Sequence, residues 1–185
     1  MVTELLQDAE AKMQKSLEVT RHEFTLIRTG RASPAILEHV QVNYYGQELP
    51  IQQVATVTVP EPRTLMIAPW DKGALTAIEK AILKSDLNLT PNNDGNSIRL
   101  SIPPLTEERR RDLIKQLHKK AEEGHVAIRN VRHETINHLK TATKKGDISE
   151  DDEKRAQDKL QKLTDKYIVE VDKAVKIKEA ELLEV

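Results

Sequence analysis

Residues 105–145 read LTEERRRDLIKQLHKKAEEGHVAIRNVRHETINHLKTATKK, a run that has no proline and one glycine, Gly124. Apolar or small side chains recur along it at alternating spacings of three and four residues, the period of a helix packed along its whole length. The run therefore predicts a single long helix. Its buried face is predicted to contain Ile114, Leu117, Ala121, Gly124, Ile128, Val131, Thr135, His138, Leu139 and Ala142.

A second stripe with the same spacing flanks this face and is mostly basic. Residues 105–146 carry eleven Lys/Arg and six Asp/Glu, a net charge of 11 − 6 = +5, whereas residues 147–185 carry 8 − 12 = −4. The near-neutral total of −1 therefore does not argue against a polyanionic partner, because the local field steers association. The stripe consists of Arg111, Lys115, His118, Glu122, His125, Arg129 and Arg132.

Two further stretches have helical periodicity. Residues 2–29 predict a first helix, which we expect Gly30 to end as a left-handed C-cap. A last helix is predicted to begin after Ser149, whose side chain can cap it, with acidic residues filling the first turn. Thr106 and Gly146 are the corresponding signals at the start and the end of the long helix. The chain thus contains three long predicted helices.

The segment between the first and second long helices has strand-like alternation and frequent proline. Strands are predicted at 40–44, 54–59, 65–68 and 98–102. Turns are predicted at 45–47, 60–63 and 92–95, and a helix at 72–84 is predicted to be capped by Asp71.

This order predicts an α+β fold, a long three-helix bundle with an inserted small β/α/β domain. The bundle is predicted to comprise residues 1–30 and 105–185, and the inserted β-rich domain residues 31–104. The two connections are expected to act as a hinge, since few contacts need cross them. The predicted hinge residues are Thr29, Gly30, Arg31, Ala32, Ile102, Pro103, Pro104 and Leu105.

Composition excludes several classes of protein. The chain has no cysteine, which removes disulfides and thiolate chemistry. No apolar run approaches the roughly twenty residues that span a bilayer, and charges interrupt the first apolar residues as they would not in a signal peptide. We therefore expect a soluble cytoplasmic protein.

The motifs of enzymes, metal sites and cofactors are missing from the sequence. His118 and His125 are seven residues apart and His133 and His138 five apart, without the His-Glu-x-x-His pattern of a zinc site. No nucleophile lies in a recognisable motif, and the acid clusters lie at predicted helix N-termini, where carboxylates stabilise the dipole. We predict no catalytic residues, no metal and no cofactor.

Arg129 and Arg132 lie one helical turn apart and allow two interpretations. Their stems can run along the bundle surface while the guanidinium groups pair with acids of the last helix. Alternatively, they can bind phosphate, because a guanidinium fork matches phosphate oxygens and a rigid helix positions it. In the run Arg109-Arg110-Arg111, at most two side chains can join that surface, since successive helical positions point in different directions.

Several stretches together resemble the ribosome recycling factor family. They occur in order across nearly the whole chain, which makes the resemblance specific. The stretches are Ile27-Arg-Thr-Gly-Arg-Ala-Ser-Pro34, Val42-Asn-Tyr-Tyr-Gly46, Ala68-Pro-Trp-Asp71, Ile78-Glu-Lys-Ala-Ile82, Pro103-Pro-Leu-Thr-Glu-Glu-Arg-Arg110 and Ala127-Ile-Arg-Asn-Val-Arg132.

The resemblance implies a monomeric, non-enzymatic factor that acts with elongation factor G, and with GTP hydrolysis by that partner, to split post-termination ribosomes into subunits. It implies binding of large-subunit ribosomal RNA through bundle arginines. His133 and Gly124 depart from residues common in such proteins. The predicted ribosome-binding residues are Arg110, Arg129, Arg132, Arg109, Arg28 and Arg31.

Two alternative functions remain open from the residues themselves. A helical interaction module would bind a protein partner and use its arginines for solubility. An enzyme acting on nucleic acid would need a catalytic constellation, which the sequence lacks. Binding to large subunits that falls steeply with salt would distinguish the RNA-binding factor from the module.

Overall fold

A computed structural model describes residues 1–184 and confirms the predicted α+β class. The helices are α1 (Val2–Thr25), α2 (Leu75–Lys84), α3 (Glu107–Lys144) and α4 (Glu150–Leu183). The strands are β1 (Gln41–Tyr44), β2 (Gln47–Pro50), β3 (Ala55–Glu61), β4 (Thr64–Pro69), β5 (Pro91–Asn93) and β6 (Ile98–Ser101).

The described chain divides into two compact units. The bundle unit contains Met1–Thr25 and Asp112–Ala180, and the sheet unit contains Leu26–Arg111 with the residues from Glu181 onward. These limits lie a few residues inside α3 and α4 and at the end of α1. The domain limits at 30/31 and 104/105 stay a prediction.

Small and hydroxyl-bearing side chains let the helices of the bundle unit approach one another. Gly124 of α3 is buried against Thr20 of α1, and a Cβ on this glycine would lie 2.5 Å from the Thr20 Oγ1 atom. The Thr20 hydroxyl is satisfied within its own helix, since it donates to the Ser16 carbonyl at 2.8 Å. The buried face of α3 contains Leu113, Leu117, Ala121, Gly124, Ile128, Thr135, Leu139 and Ala142. The prediction is wrong for Ile114 and Val131, which are only partly buried, and for His138, which is exposed.

Local capping bonds define three helix ends: the start of α3, the end of α3 and the start of α4. The Gly146 backbone has φ +78°, and the Asp147 amide donates to the Ala142 carbonyl at 2.9 Å, as in a Schellman C-cap. The Asp152 amide donates to the Ser149 hydroxyl at 3.1 Å, and the Arg109 amide to the Thr106 hydroxyl at 3.1 Å. All three predicted caps are confirmed.

The predicted end of α1 is wrong by four residues. The helix ends at Thr25 instead of continuing to Thr29, and Gly30 does not have a positive φ. The Thr25 hydroxyl donates to the His22 carbonyl at 2.6 Å, a local side-chain bond of the kind that competes with helix propagation. The chain then turns so that Ile27 is buried.

The sheet unit has two separate sheets. β1 and β2 form a hairpin, while the other four strands form an antiparallel sheet in the order β3-β4-β6-β5. β3 is an edge strand, and its register with β4 shifts between Thr58 and Glu61, where Pro60 is tolerated. α2 packs against β1 and β5. The core between these elements is mainly isoleucine, leucine and valine.

The turns and strands of the sheet unit agree with the sequence prediction only in part. The β1–β2 loop consists of Tyr45 (φ 49°) and Gly46 (φ 85°), the pattern of a type I′ hairpin. The predicted turn at 60–63 is shorter than expected, because β3 continues through Glu61. The sequence analysis predicts neither β2 nor β5. β2 has no buried residue, and β5 overlaps the predicted turn at 92–95.

Asp71 caps the segment that leads into α2, as predicted. Its Oδ1 atom accepts from the Gly73 amide at 2.9 Å, but the first turn, Lys72–Ala74, is a 3-10 helix and α2 begins only at Leu75. Within residues 1–184, none of the helices has the length and apolar character needed to cross a membrane.

Candidate nucleic-acid interface

Arg129 and Arg132 lie on α3 beside the buried Ile128, and neither is paired with a carboxylate of α4 among residues 1–184. Arg129 is exposed, and its Nη1 atom is 3.4 Å from Glu122 Oε1 on the same helix. Arg132 is half-buried, and its Nη1 atom donates to Gln161 Oε1 of α4 at 2.9 Å. The acceptor for Arg132 is thus a neutral amide.

The environment of Arg132 holds the guanidinium in place without neutralising it. The Gln161 amide nitrogen donates to Asp165 Oδ1 at 2.9 Å, which fixes the side chain so that its oxygen faces Arg132. The Arg132 Nε atom is screened from solvent and has no hydrogen-bond partner among residues 1–184. Leaving such a donor unsatisfied costs about 1–3 kcal/mol, so this arginine is poorly explained by folding stability alone.

Histidines, rather than arginines, connect the basic stripe of α3 to the acids of α4. His118 Nε2 contacts Glu179 Oε1, and His125 Nε2 lies 2.9 Å from Asp172 Oδ1. The histidines of the stripe therefore face carboxylates of α4, whereas its arginines contact carboxylates of α3, Arg111 with Glu107 and Arg129 with Glu122, or a neutral amide, as Arg132 does. Sequence reasoning missed both histidine pairs and Gln161, because 29 to 61 residues separate the partners along the chain.

Arg110 lies in the sheet unit and lines a second cationic region. It borders a cavity of about 440 Å³ whose wall includes Arg31, Arg63 and two acidic side chains, Glu181 and Glu184. Like Arg132, Arg110 has a buried Nε atom that finds no hydrogen-bond partner in the described part of the chain. Sequence reasoning missed Arg63, since nothing in its local pattern indicates that it lies near Arg110.

Arg28 and Arg109 are close enough to affect one another. Arg28 Nη1 donates to the Leu87 carbonyl at 3.1 Å, which anchors the side chain on the sheet unit. Burial, together with repulsion from Arg109, lowers the pKa of Arg28. Arg109 is exposed. The two predicted binding residues thus form a locally positive pair.

Arg31 is exposed, but a carboxylate already contacts it. Its Nη2 atom donates to Glu184 Oε1 at 2.5 Å. An exposed ion pair of this kind contributes little to stability and exchanges readily with other ions. Arg31 can therefore meet an external phosphate only by giving up Glu184.

Backbone hydrogen bonds attach the predicted hinge residues to the β3–β4 turn. The Ala32 amide donates to the Pro62 carbonyl at 2.7 Å, and the Ile102 amide to the Arg63 carbonyl at 2.8 Å. All the predicted hinge residues belong to the sheet unit by contact. Their role as a hinge stays a prediction.

No cluster of three or more histidine, cysteine, aspartate or glutamate side chains suited to a metal ion occurs in the part of the chain that the structure describes. The chemistry that the arranged side chains offer is therefore cationic hydrogen bonding. Guanidinium groups at Arg132 and Arg110 provide charged donors of the geometry that phosphate oxygens accept.

Comparison with known proteins tests this interpretation at the level of the family. A family model described as ribosome recycling factor matches residues 20–183. The chain belongs to the ribosome recycling factor family. It is 56% identical over 185 residues to a ribosome-recycling factor of Carboxydothermus hydrogenoformans and 54% identical to one of Desulforamulus reducens, with all of both chains covered in each case.

Solved structures of this family share the fold. The solution structure of a ribosome recycling factor matches with a TM-score of 0.78 and 46% identity, covering 100% of this chain and 98% of the other. A second match, with a TM-score of 0.69, 50% identity and complete coverage of both chains, is the T. thermophilus ribosome recycling factor with the E. coli elongation factor G bound to the E. coli post-termination complex. Family membership makes this chain a translation factor rather than an enzyme.

Proposed function

We propose that this chain binds post-termination ribosomes and, with elongation factor G and GTP hydrolysis by that partner, promotes their dissociation into subunits. Its family membership over residues 20–183 supports this function, as does its likeness to a recycling factor described together with elongation factor G on a post-termination complex. The factor itself supplies binding energy and shape, and the chemical energy comes from the GTPase.

The observation that carries the proposal is the state of Arg132. A side chain retained for stability would have its buried Nε atom satisfied and its charge paired, whereas Arg132 has an orphaned Nε and only the Gln161 amide. Because the Nε atom is screened from solvent, the donors that a phosphate can reach are the outer N–H groups on Nη1 and Nη2, of which only Nη1 donates to Gln161 within residues 1–184. Arg129, one turn earlier, is held only by an exposed contact with Glu122 and adds a second donor group.

The sheet unit contributes a second group of candidates for RNA contact. Arg110 shares with Arg132 the unsatisfied Nε, while Arg28 and Arg109 form a positive pair. We include Arg31 in this group, with Glu184 as the competing ligand that ribosomal phosphate would displace.

The remaining parts of the proposal concern localisation, oligomeric state and domain organisation. We propose a cytoplasmic monomer, since its substrate complex is the ribosome. We also propose that residues 29–32 and 102–105 act as a hinge between a bundle domain and the inserted domain of residues 31–104. The change from helical to strand-like sequence at both connections supports this assignment.

The deciding experiment replaces Arg132 with glutamine and measures binding to purified large subunits across a salt series. Charge-assisted hydrogen bonds contribute about 1.5–3 kcal/mol, so binding should weaken by about 10- to 150-fold. The slope of affinity against salt should fall by about one counterion. The matched control is Arg155→Gln on α4, an exposed arginine that should leave binding within about twofold.

Thermal stability and salt dependence distinguish the proposal from two alternatives, a structural role for Arg132 and a helical interaction module. The thermal midpoint of Arg132→Gln should stay close to that of the wild type, and subunit splitting with elongation factor G and GTP should slow in parallel with the loss of binding. A bundle that melts early while ribosome binding is unchanged would mean that Arg132 is structural. Binding insensitive to salt would favour the helical interaction module.

A further inference from the structure

The aromatic residues of this chain are few and unevenly placed. There are five in all, and two of them, Phe24 and Tyr167, are buried at 4% exposure in the bundle unit. The other three are Tyr44, Tyr45 and Trp70 of the sheet unit. Tyr45 is 80% exposed and Trp70 is 68% exposed. A chain with so few aromatics thus places its only tryptophan and a neighbouring tyrosine in solvent.

Asp71, the residue after Trp70, holds the two tyrosines together. Its Oδ2 atom accepts from the Tyr44 hydroxyl at 2.9 Å and from the Tyr45 hydroxyl at 3.1 Å, while Oδ1 accepts from the Gly73 amide at 2.9 Å. The two tyrosine rings contact edge to face, with centroids 4.5 Å apart and an interplanar angle of 73°. Three donors therefore orient one carboxylate, and the rings it holds are preorganised.

Trp70 is fixed from the other side. Its indole Nε1 atom donates to the Thr56 hydroxyl of β3 at 2.9 Å, and its backbone amide donates to the Val54 carbonyl at 3.2 Å. The ring is therefore held in one orientation although most of it is exposed. Ordered, exposed Trp and Tyr side chains are the typical anchors of protein interfaces, because they lose little entropy on binding.

The backbone of Tyr45 adds an independent observation. Its φ of 49° lies in the left-handed region, at the first position of a two-residue hairpin turn. Asparagine, aspartate or glycine adopts this conformation readily, whereas a bulky side chain does so at a cost. Folding would be served better by asparagine here. Strain of this kind at an exposed, oriented side chain points to binding.

The charge at the cluster selects the partner. The Gly73 amide, followed by the two tyrosine hydroxyls, holds the pKa of Asp71 below its usual range, so the carboxylate is ionised at neutral pH. A phosphate would be repelled here, whereas a guanidinium can pair with the carboxylate and stack on an aromatic face.

We propose that Tyr45, Trp70 and Asp71 form a docking site for an arginine side chain on an extended segment of a protein partner. This site uses aromatic faces and a carboxylate in the sheet unit, and so differs in chemistry from the arginines of α3. It is independent of the proposed ribosomal RNA contacts.

The test uses the tryptophan as the reporter. The chain contains a single Trp, so the indole N–H of Trp70 gives one nitrogen–proton NMR signal in the full-length protein. The probe is a capped glycine–arginine peptide with two arginines, and the matched probe replaces both with neutral citrulline. The arginine peptide should shift the Trp70 signal saturably, and the citrulline peptide should bind at least about fivefold more weakly.

Two variants distinguish a docking role for Tyr45 and Asp71 from a role in covering the edge of the sheet. Tyr45→Asn removes the ring and relieves the left-handed strain, so the fold should persist while binding weakens by about fivefold or more. Asp71→Asn keeps an acceptor for the Gly73 amide but removes the charge, and should weaken binding by about tenfold. The matched control is Leu83→Ala, an exposed apolar residue of α2, which should bind the peptide as the wild type does.

Three outcomes would overturn the proposal. Equal shifts with the arginine and citrulline peptides would show that the charge is not recognised. A tighter response to single-stranded oligouridylate than to the arginine peptide would assign the aromatics to base stacking instead. Unchanged peptide binding in Tyr45→Asn, with the hairpin intact, would leave these side chains as a cover for the sheet edge.

Discussion

The two compact units differ in how far they bury small side chains. The bundle unit buries glycine, alanine and threonine where its helices meet, with Gly124 in contact with Thr20, beside large side chains such as Leu117 and Ile128 that are also fully buried. The core of the sheet unit is formed almost entirely by large branched residues such as Ile67 and Ile78, both fully buried. Close packing in the bundle unit therefore depends on small residues placed among large ones, whereas in the sheet unit it depends on large residues almost throughout.

This difference predicts that the stability of the two units responds differently to mutations that add side-chain atoms and to mutations that remove them. The bundle unit should tolerate added atoms poorly, because backbone and side chain already meet at the helix crossings. The sheet unit should tolerate deleted atoms poorly, because each large side chain fills space that nothing else can reach. Two optical signals distinguish the units: fluorescence of Trp70 reports the sheet unit, while helical circular dichroism comes mainly from α1, α3 and α4.

The largest expected effect is that of a deletion in the sheet unit. Ile78→Ala removes a fully buried side chain of α2 and should lower the free energy of unfolding by about 2–5 kcal/mol, through lost transfer energy and the remaining cavity. Urea unfolding followed by Trp70 fluorescence measures it. A shift seen only in the helical dichroism signal would contradict the assignment of Ile78 to the sheet-unit core.

An insertion of one methyl group in the bundle should have the next largest effect. In Gly124→Ala the new Cβ would meet Thr20 Cγ2 at 2.8 Å, which costs about 1–3 kcal/mol of overpacking against a gain of about 1 kcal/mol in helix propensity. The variant should therefore be destabilised by up to about 2 kcal/mol, measured by dichroism.

A second background makes that prediction sharper. Thr20→Ala removes the Oγ1 and Cγ2 atoms and leaves only the Cβ of residue 20, 3.2 Å from the added Cβ, so Gly124→Ala should cost at least about 1 kcal/mol less in this background than in the wild type. Gly30→Ala is the matched control, since no atom of the residues that the structure describes lies within 4 Å of its added Cβ, and it should change stability by less than about 0.5 kcal/mol. Equal effects of Gly124→Ala in both backgrounds would show that the helices do not meet at Thr20.

The smallest effect expected is a dependence on acid pH in the sheet unit. The Asp71 pKa is lowered in the folded state by the Gly73 amide and then by the two tyrosine hydroxyls, so its contribution is full above the unfolded pKa of about 4. That contribution disappears as pH falls through the lower folded pKa. The wild type should therefore exceed Asp71→Asn in stability at neutral pH, and the difference should vanish in strong acid. A constant difference at every pH would mean that the carboxylate does not titrate as argued.

The bundle could be predicted closely because its signals are local. Thr106, Gly146 and Ser149 determine the helix ends through neighbours no more than five residues away, and the periodicity of α3 records its buried face. The end of α1 is predicted wrongly because two local signals compete. Gly30 indicates a C-cap, but the helix ends earlier, where the Thr25 hydroxyl donates to the His22 carbonyl.

The candidate site could be predicted only in part, because its character depends on distant neighbours. Arg129 and Arg132 were assigned from spacing, but whether their charges are neutralised depends on Gln161 and Glu122. The aromatic cluster left no sequence signal, since Tyr45 and Asp71 are 26 positions apart. Side-chain partners across such separations are fixed by the approach of folded elements, which a linear pattern does not record.

The order of the helices along the chain has a consequence for synthesis. α3 and α4 are joined by a tight, capped turn and can pair as soon as both exist, whereas α1 must wait for partners that follow 86 intervening residues, 26–111. At translation rates of about 5–20 residues per second, that wait lasts about 4 to 17 seconds. Met13, Leu17 and Phe24, which are buried in the folded bundle unit, lack their α3 and α4 partners during this interval, so we expect the nascent first helix to be the segment for which a chaperone competes.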